Sequence, residues 1–457
     1  MKKVAIIGAG KMTKPMVDYF IDKCCFQVIM VNRTVSNAEK VIAGRPLGKC
    51  VRWAAGESRI LDEVISKVDI VISMVPKPLH LNVAKSCLRY KKNMLTTAYE
   101  IPELIALDKE VKKNGIMILN ELGEVPGIDH FGTQMLLDEI NKEGGKILSL
   151  KSYGSGLPAF EHNTNPFLYK FSWDPNTVFV AAQTSAAYYV KGKRIEVPGE
   201  KLFEDFWLVD IEGLSTFETY PNKDCKKYLK PFGLDQIEDI TFYRGLLRYT
   251  GYCNTLRNIK ELGFLDSKEK ESYVGKTYRQ LIASLIGAES TNDLELNTAK
   301  YLNVHNNADI IHRMKWLGLF EDRTIDIREG TKLDILLNRM LKKMMYQPHE
   351  KDMIILHIEV IAEFPGPIRE KRLATMVVEG IPYGDSAMSR AVTLPAAIAA
   401  RLILEGKIRG KGLLMPPTMP ELYPPVLEEL ETYGYSFKRQ TIKIPINGKI
   451  FKYKNVN

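Results

Sequence analysis

The sequence predicts an α/β protein. Its parts are a Rossmann-type doubly wound parallel sheet, a mixed α/β substrate domain and a mainly helical insertion. Three observations predict it. The apolar run Val4–Ala5–Ile6–Ile7 leads into the glycine turn Gly8–Ala9–Gly10 and then a helix. Strand-like and helix-like stretches alternate as far as residue 130. Beyond Asp129 the pattern changes, first to alternating strand residues and later to helical periodicity.

The first element fits a dinucleotide. Gly8 permits a tight turn, Gly10 lets the backbone approach a pyrophosphate, and the helix N–H groups receive its charge. A third glycine is absent: Thr13 stands in that region, and Pro15 occupies the first helical turns, where its missing N–H does little harm. A strand–turn–helix without a ligand is the plain structural alternative. Gln27–Val31 reads as the second strand, followed by Asn32–Arg33–Thr34. An NAD site usually carries an acid there to grip the adenosine ribose. Here Arg33 can pair with a 2′-phosphate, so NADP is preferred over NAD. The expected cofactor contacts are Gly8, Ala9, Gly10, Lys11, Met12, Thr13, Asn32, Arg33 and Thr34.

Val68–Pro76 reads as a buried strand with its end loop, Lys92–Thr97 as another, Glu103–Lys113 as a helix and Gly115–Asn120 as a further strand. Ligands of such sheets lie past the strand C-termini. That rule adds Ser73, Val75, Pro76, Thr97 and Asn120 to the cofactor set and Tyr99 to the substrate set; Glu121 shares the position. Ile147–Tyr153 reads as a strand and Gly154–Pro158 as a rigid turn after it. Residues 165–173 form an aromatic-rich loop. Residues from about 235 to 345 read as mostly helical, with Trp316–Leu319 closing one helix. Met353–Ile358 and Leu373–Val378 read as paired strands, and a small-residue helix covers Ser386–Leu404. The expected domains are 1–130 for the dinucleotide, 131–235 for the first part of the substrate domain, 236–345 for the helical insertion, 346–385 for its second part, and 386–457 as a segment returning to the nucleotide domain.

Composition bounds the function. A chain of 457 residues with 45% hydrophobic content supports two or three folded domains. No uninterrupted apolar stretch spans a bilayer, and the N-terminal run is too short for a secretory signal. Six scattered cysteines give no disulfide framework or zinc spacing, so a reducing, cytoplasmic setting is expected. The net charge of +9 comes without a nucleic-acid-binding motif, which argues against nucleic acid and for anionic small molecules. No metal is expected. A homodimer is an open option for assembly.

Arg244 and Arg248 lie four apart and share a face on either a helix or a strand. Two guanidiniums suit carboxylates. Lys223 supplies a third positive group. Surface arginines paired with Glu238 and Asp239 are the plain alternative. Asp129–His130 suits proton transfer or, equally, the capping and steering of the next helix.

Taken together, several segments carry a resemblance. They are Gly8–Ala9–Gly10, Ser73–Met74–Val75–Pro76, Thr96–Thr97–Ala98–Tyr99, Pro126–Gly127–Ile128–Asp129–His130, Tyr153–Gly154–Ser155–Gly156–Leu157–Pro158–Ala159, Asn165–Pro166–Phe167–Leu168–Tyr169–Lys170–Phe171–Ser172–Trp173, Tyr220–Pro221–Asn222, Arg244–Gly245–Leu246–Leu247–Arg248–Tyr249, Glu350–Lys351–Asp352–Met353 and Ser386–Ala387–Met388. The chain resembles the saccharopine reductase family, also called saccharopine dehydrogenase (L-glutamate-forming). The resemblance runs nearly the whole length, and the Asn165–Trp173 stretch is its most discriminating part. It implies joining of L-glutamate to 2-aminoadipate 6-semialdehyde and reduction of the imine at the expense of NADPH, or the reverse, within lysine metabolism. Fungal members work in lysine biosynthesis; the related domain of animal and plant bifunctional enzymes works in lysine breakdown, usually with NAD.

Three carboxylates on saccharopine match Lys223, Arg244 and Arg248. Gly156, Leu157, Pro158, Phe171, Ser172 and Trp173 are expected to shape the substrate cleft, with Tyr99 at its floor. No general acid or base is assigned; Tyr99 and Asp129 are the candidates. The chain also departs from the pattern. Where the family commonly has Gly-Leu-Asp-Pro-Gly, it has Gly123–Glu124–Val125–Pro126–Gly127. Lys223 replaces an arginine, and Gly154 stands where a cysteine is often found. Two alternatives stay open: a reductase of another carboxylated imine, like carboxynorspermidine or homospermidine synthases, and a non-catalytic nucleotide-sensing protein.

Overall fold

The computed structural model describes residues 1–445 except 174, 182 and 367. The chain forms two compact units. The first holds Met1–Gly156, Lys226–Phe242 and the chain from Met353 to the end of the described residues; the second holds Leu157–Cys225 and Tyr243–Asp352.

In the first unit a seven-stranded sheet runs in the order Gly412–Leu414, Met117–Leu119, Asn93–Thr96, Ile70–Ser73, Lys3–Ile7, Gln27–Asn32, Gly48–Arg52. Every pairing is parallel. These strands are short and rich in Val, Ile, Leu and Met, as strands covered on both faces must be. One face packs on Ala387–Leu404 and Lys14–Asp18, the other on Leu61, Val64, Ile65, Val83, Ala84 and Cys87. The order reverses between Ile70–Ser73 and Lys3–Ile7, which sets the ligand crevice at the C-terminal ends of these strands.

The 18-residue helix Ala387–Leu404 is long and apolar enough to cross a membrane, yet 72% of it is buried inside the protein. It is a core helix: Ala391, Ala396, Ala397, Ala399 and Ala400 let it lie close to the sheet. Lys146–Pro158, Asp352–Phe364, Ile368–Glu379 and Lys438–Ile444 lie side by side in that order. Ile354, Leu356, Met376 and Val378 from this group join the same core as the 387–404 helix.

In the second unit Trp207–Ile211, Ser215–Pro221 and Thr241–Tyr249 pair antiparallel, and Ala186–Val190 forms a hairpin with Lys193–Val197. Helices follow at Tyr252–Glu261, Tyr278–Leu285, Leu294–Tyr301, Asp309–Leu317 and Lys332–Lys343. Thr277 with Gln280 and Thr331 with Asp334 form capping boxes, satisfying the orphan N–H groups of two of them.

Several expectations are corrected. Residues 154–158 are not a turn: the strand continues through Pro158. Helix Glu103–Lys113 is two short helices, Pro102–Ile105 and Asp108–Lys113. The helical stretch starts at Tyr252 instead of 236, because the Arg244 segment is a strand. Residues 353–385 lie with the first unit, not with a substrate domain, because their apolar face completes the core under the 387–404 helix. Within the expected C-terminal return, Gly412–Leu414 joins the parallel sheet and Lys438–Ile444 pairs with Ile368–Glu379 instead. Residues 446–457 of that segment lie outside the described residues.

Candidate active site

The glycine turn is built around one close approach. Gly8 has φ +111°, and a Cβ there would stand 2.6 Å from the Met74 carbonyl oxygen. No other residue satisfies both conditions without strain. The Gly8 N–H donates to Val31 O at 2.7 Å, and the Met74 N–H donates to Ile7 O at 2.8 Å, so the turn is tied to both neighbouring strands. The Ala9 N–H donates to the Asn32 side-chain oxygen at 3.3 Å, while the Asn32 amide donates to Thr34 O at 2.8 Å. Asn32 thus locks the glycine turn to the end of the second strand, a role an acid in that place would fill less well for lack of a donor.

Gly10 is exposed with open space around its Cα. The backbone of Lys11–Thr13 starts the helix as a single 3-10 turn, and the Thr13 hydroxyl donates to Gly10 O at 2.9 Å. Met12 is partly buried against the core. Arg33 and Thr34 are exposed beside the second strand. An open glycine backbone at a helix start, followed by a cationic strand end, fits a dinucleotide carrying a 2′-phosphate.

The remaining cofactor positions divide. Pro76 is exposed and Val75 is buried. Thr97 is half-buried, with its hydroxyl facing Met74 Sδ at 3.8 Å. Ser73 is wholly buried and its hydroxyl meets His80 Nδ1 at 2.8 Å. Burial holds His80 down at about 4, so the imidazole is neutral and this bond is structural. The Asn120 amide reaches Leu414 O at 3.4 Å, and its buried side-chain oxygen has no hydrogen-bond partner among the described residues.

Tyr99 sits in a polar cluster that sequence reasoning largely missed. Glu121 is fully buried, with φ +63°. Its carboxylate receives the Tyr228 hydroxyl at 2.9 Å, meets His130 Nε2 at 2.9 Å and pairs with the Lys227 ammonium. Burial alone would raise its pKa, but His130 and Lys227 outweigh that and hold it at about 2. The Lys227 ammonium lies 4.9 Å from the Tyr99 ring centre and 4.6 Å from that of Tyr228. Asp129 has a local role: its carboxylate accepts the Gly127 N–H at 2.7 Å and steadies the entry to helix Ile128–Lys142. The adjacency of Glu121 to a strand end was visible in the sequence. Lys227 gave no signal, because only the return of 226–242 to the first unit brings it there.

The other predicted substrate residues, Gly156 excepted, belong to the second unit. Arg244 is 3% exposed in a strand whose edge is fixed by the Asn222 N–H donating to Arg244 O at 2.8 Å, next to Lys223 at φ +63°. Burial pushes the nearby Cys225 thiol up to about 12, against the pull of Arg244. Arg248 lies further along the same strand. Its guanidinium stands 5.4, 5.6 and 5.1 Å from the rings of Tyr169, Tyr220 and Tyr252, and it donates to Leu247 O. This aromatic box replaces the open guanidinium expected of a substrate clamp.

Leu157 and Pro158 are buried, and Pro158 O accepts the Tyr249 hydroxyl at 2.8 Å. Phe171 is buried and its N–H donates to Met344 O at 3.0 Å. Ser172 is half-buried and Trp173 is 39% exposed. The Asn165–Trp173 stretch is held by the Asn165 amide on Tyr169 O and by the buried Lys170–Glu350 ion pair.

Residues 4–119 match the Saccharopine dehydrogenase NADP binding domain, and residues 123–435 match the Saccharopine dehydrogenase C-terminal domain. The chain is 33% identical to "Saccharopine dehydrogenase [NADP(+), L-glutamate-forming]" of Saccharomyces cerevisiae, over 96% of this chain and 99% of that one. With the enzyme of the same name from Schizosaccharomyces pombe it shares 31% over 97% and 99%. Against the mitochondrial alpha-aminoadipic semialdehyde synthase of Bos taurus it is 31% identical over 97% of its length, spanning 48% of that protein. The apo saccharopine dehydrogenase (L-Glu forming) structure from Saccharomyces cerevisiae superposes with a TM-score of 0.87 at 32% identity, covering 97% of this chain and 100% of that one. The glycine turn, the order of the parallel sheet and the whole length of both units therefore lead to one assignment: the chain belongs to the saccharopine dehydrogenase family.

Proposed function

We propose that this protein is an NADP-dependent saccharopine dehydrogenase of the L-glutamate-forming type, interconverting L-saccharopine with L-glutamate and 2-aminoadipate 6-semialdehyde in lysine metabolism. The observation that carries the reading is full-length similarity to fungal enzymes of that name, with the two family domains matched over residues 4–119 and 123–435. NADP(H), when bound, supplies or accepts the hydride at the C–N bond.

The chain's own residues bind and orient. The exposed Gly10 backbone and the helix start receive phosphate charge, and Asn32 keeps that turn in shape. Arg33 faces the ribose 2′-phosphate. Arg244 and Lys223 hold carboxylates of the substrate, the buried guanidinium giving the stronger, directional contact. Tyr99, steadied by Lys227, borders the amine. Hydride transfer needs the reacting carbons held at roughly 3–3.5 Å. Gly156, Leu157, Pro158, Phe171, Ser172 and Trp173 line the substrate's surroundings in this reading, and the reducing cytoplasm is its setting.

The test is direct. Purified protein with L-saccharopine is expected to reduce NADP⁺ much faster than NAD⁺, and to oxidise NADPH when given L-glutamate and the semialdehyde. No turnover of saccharopine with either nucleotide would refute the reading.

A further inference from the structure

The Glu121 cluster lies past the ends of strands Asn93–Thr96 and Met117–Leu119. These strands stand on one side of the point where the sheet order reverses; the second strand, with Arg33, stands on the other. A dinucleotide lies across that point with its adenosine on the second-strand side. The cluster therefore belongs to the half of the crevice that receives the nicotinamide and the substrate amine.

The geometry of the cluster is directed. A fully buried carboxylate, held in a left-handed backbone, gathers its donors from three different segments. Besides Tyr228, His130 and Lys227 it receives the Glu100 N–H at 3.4 Å. Glu100 is half-buried next to Tyr99, the ring over which the Lys227 ammonium sits. One carboxylate thus fixes both the ammonium and the backbone that carries a second carboxyl.

We propose that Glu100 is the proton-holding group on the amine side of this site and that Lys227, seated on Glu121, is the positioning residue that sets when Glu100 releases its proton. The inference rests on the saccharopine reading. In the cleavage direction the substrate's secondary ammonium gives one proton to the Glu100 carboxylate, leaving a neutral amine and a carboxyl. In the forming direction the same proton returns to the amine nitrogen. Nothing else is gained or lost in that step.

The charges around Glu100 suit the role. Burial pushes its carboxyl up to about 7; the negative Glu121 and Asp108 add to the rise and Lys227 opposes it. The surrounding titratable groups are Tyr99 on its own loop, Glu121 and His130 around the next strand's end, Lys227 and Tyr228 from the returning segment, and Asp108 from the following helix. A proton carrier works best with its pKa near the working pH.

The experiment follows kcat for saccharopine cleavage against pH in wild type, Glu100→Gln, Lys227→Met and Lys227→Arg, with NADPH binding checked by fluorescence. Wild type is expected to show kcat rising through about pH 7. Glu100→Gln should lose that limb and about 10²- to 10⁴-fold in kcat while still binding NADPH. Lys227→Met should move the limb to higher pH, because the cation that favours ionised Glu100 is gone. Lys227→Arg should restore it. A ¹³C NMR titration reads the same carboxyl without turnover: one glutamate near 7, lost in Glu100→Gln and raised in Lys227→Met. An unchanged pH limb in Glu100→Gln, or an unmoved one in Lys227→Met, overturns the proposal while leaving the saccharopine reading intact. Wild type inactive on saccharopine refutes that reading instead, and the NMR titration still decides the state of Glu100.

Discussion

Replacing Gly154 by alanine should loosen the strand Lys146–Pro158, and a second substitution should repair it. A Cβ at Gly154 would stand 2.5 Å from Val125 Cγ2 and 2.9 Å from Leu356 Cδ2. Non-bonded carbons settle at about 3.5–4.0 Å, so each neighbour must retreat by about 0.5–1.5 Å. Neither does so freely. Leu356 is fully buried in its strand, and Val125 is β-branched and packed on the same core. Overpacking of this kind costs about 1–3 kcal/mol. Val125→Ala alone removes two methyl groups and costs about 1 kcal/mol. In the double variant the new Cβ takes the space vacated by Val125 Cγ2, so the two losses should cancel in part, with a coupling of about 1–2 kcal/mol. Native-state hydrogen exchange of the 146–158 amides measures this in the intact protein. Gly154→Ala should speed exchange about 5- to 150-fold, and the double variant should sit between it and wild type. Costs that add within about 0.5 kcal/mol, or a neutral Gly154→Ala, would refute the reasoning. The two positions are matched in space: the Val125 side chain fills what Gly154 leaves open.

Arg33→Asp should weaken NADPH binding far more than NADH binding in fluorescence titrations, because it replaces a cation at the second strand's end by an anion; equal losses would make Arg33 a structural residue. Arg244→Ala should raise KM for saccharopine, by an amount equivalent to about 2–5 kcal/mol if the contact is desolvated, with NADPH affinity kept; a change confined to Tm would instead mark it as a packing residue. Stability should also depend on pH through Glu121. Its folded pKa of about 2 lies below the unfolded value near 4.5, so its contribution is complete above the unfolded value and is lost as pH falls through the folded one. Chemical denaturation from about pH 6 to pH 3 should show a loss on the order of 2 kcal/mol that Glu121→Gln lacks; equal slopes in both proteins would show that Glu121 carries no such linkage.

Where side chains repeat with the period of their element, the sequence was legible. The glycine turn, five of the six N-terminal strands and the paired strands read at 353–358 and 373–378 follow from short apolar runs and their punctuation, whereas Gly48–Arg52, half-polar at the sheet edge, gave no such run. The cationic end of the second strand and the two arginines of the 241–249 strand were equally visible, since each depends on neighbours in the chain. Tertiary structure alone decided that Gly154 lies inside a strand, because only contact with Val125 and Leu356 calls for a missing side chain there. It alone enclosed Arg248 among three tyrosines that come from three separate segments. It alone set Lys227 against Glu121, 106 residues apart along the chain. A buried charge must find its counter-charge wherever the fold supplies one, and that pairing leaves no period in the sequence to read.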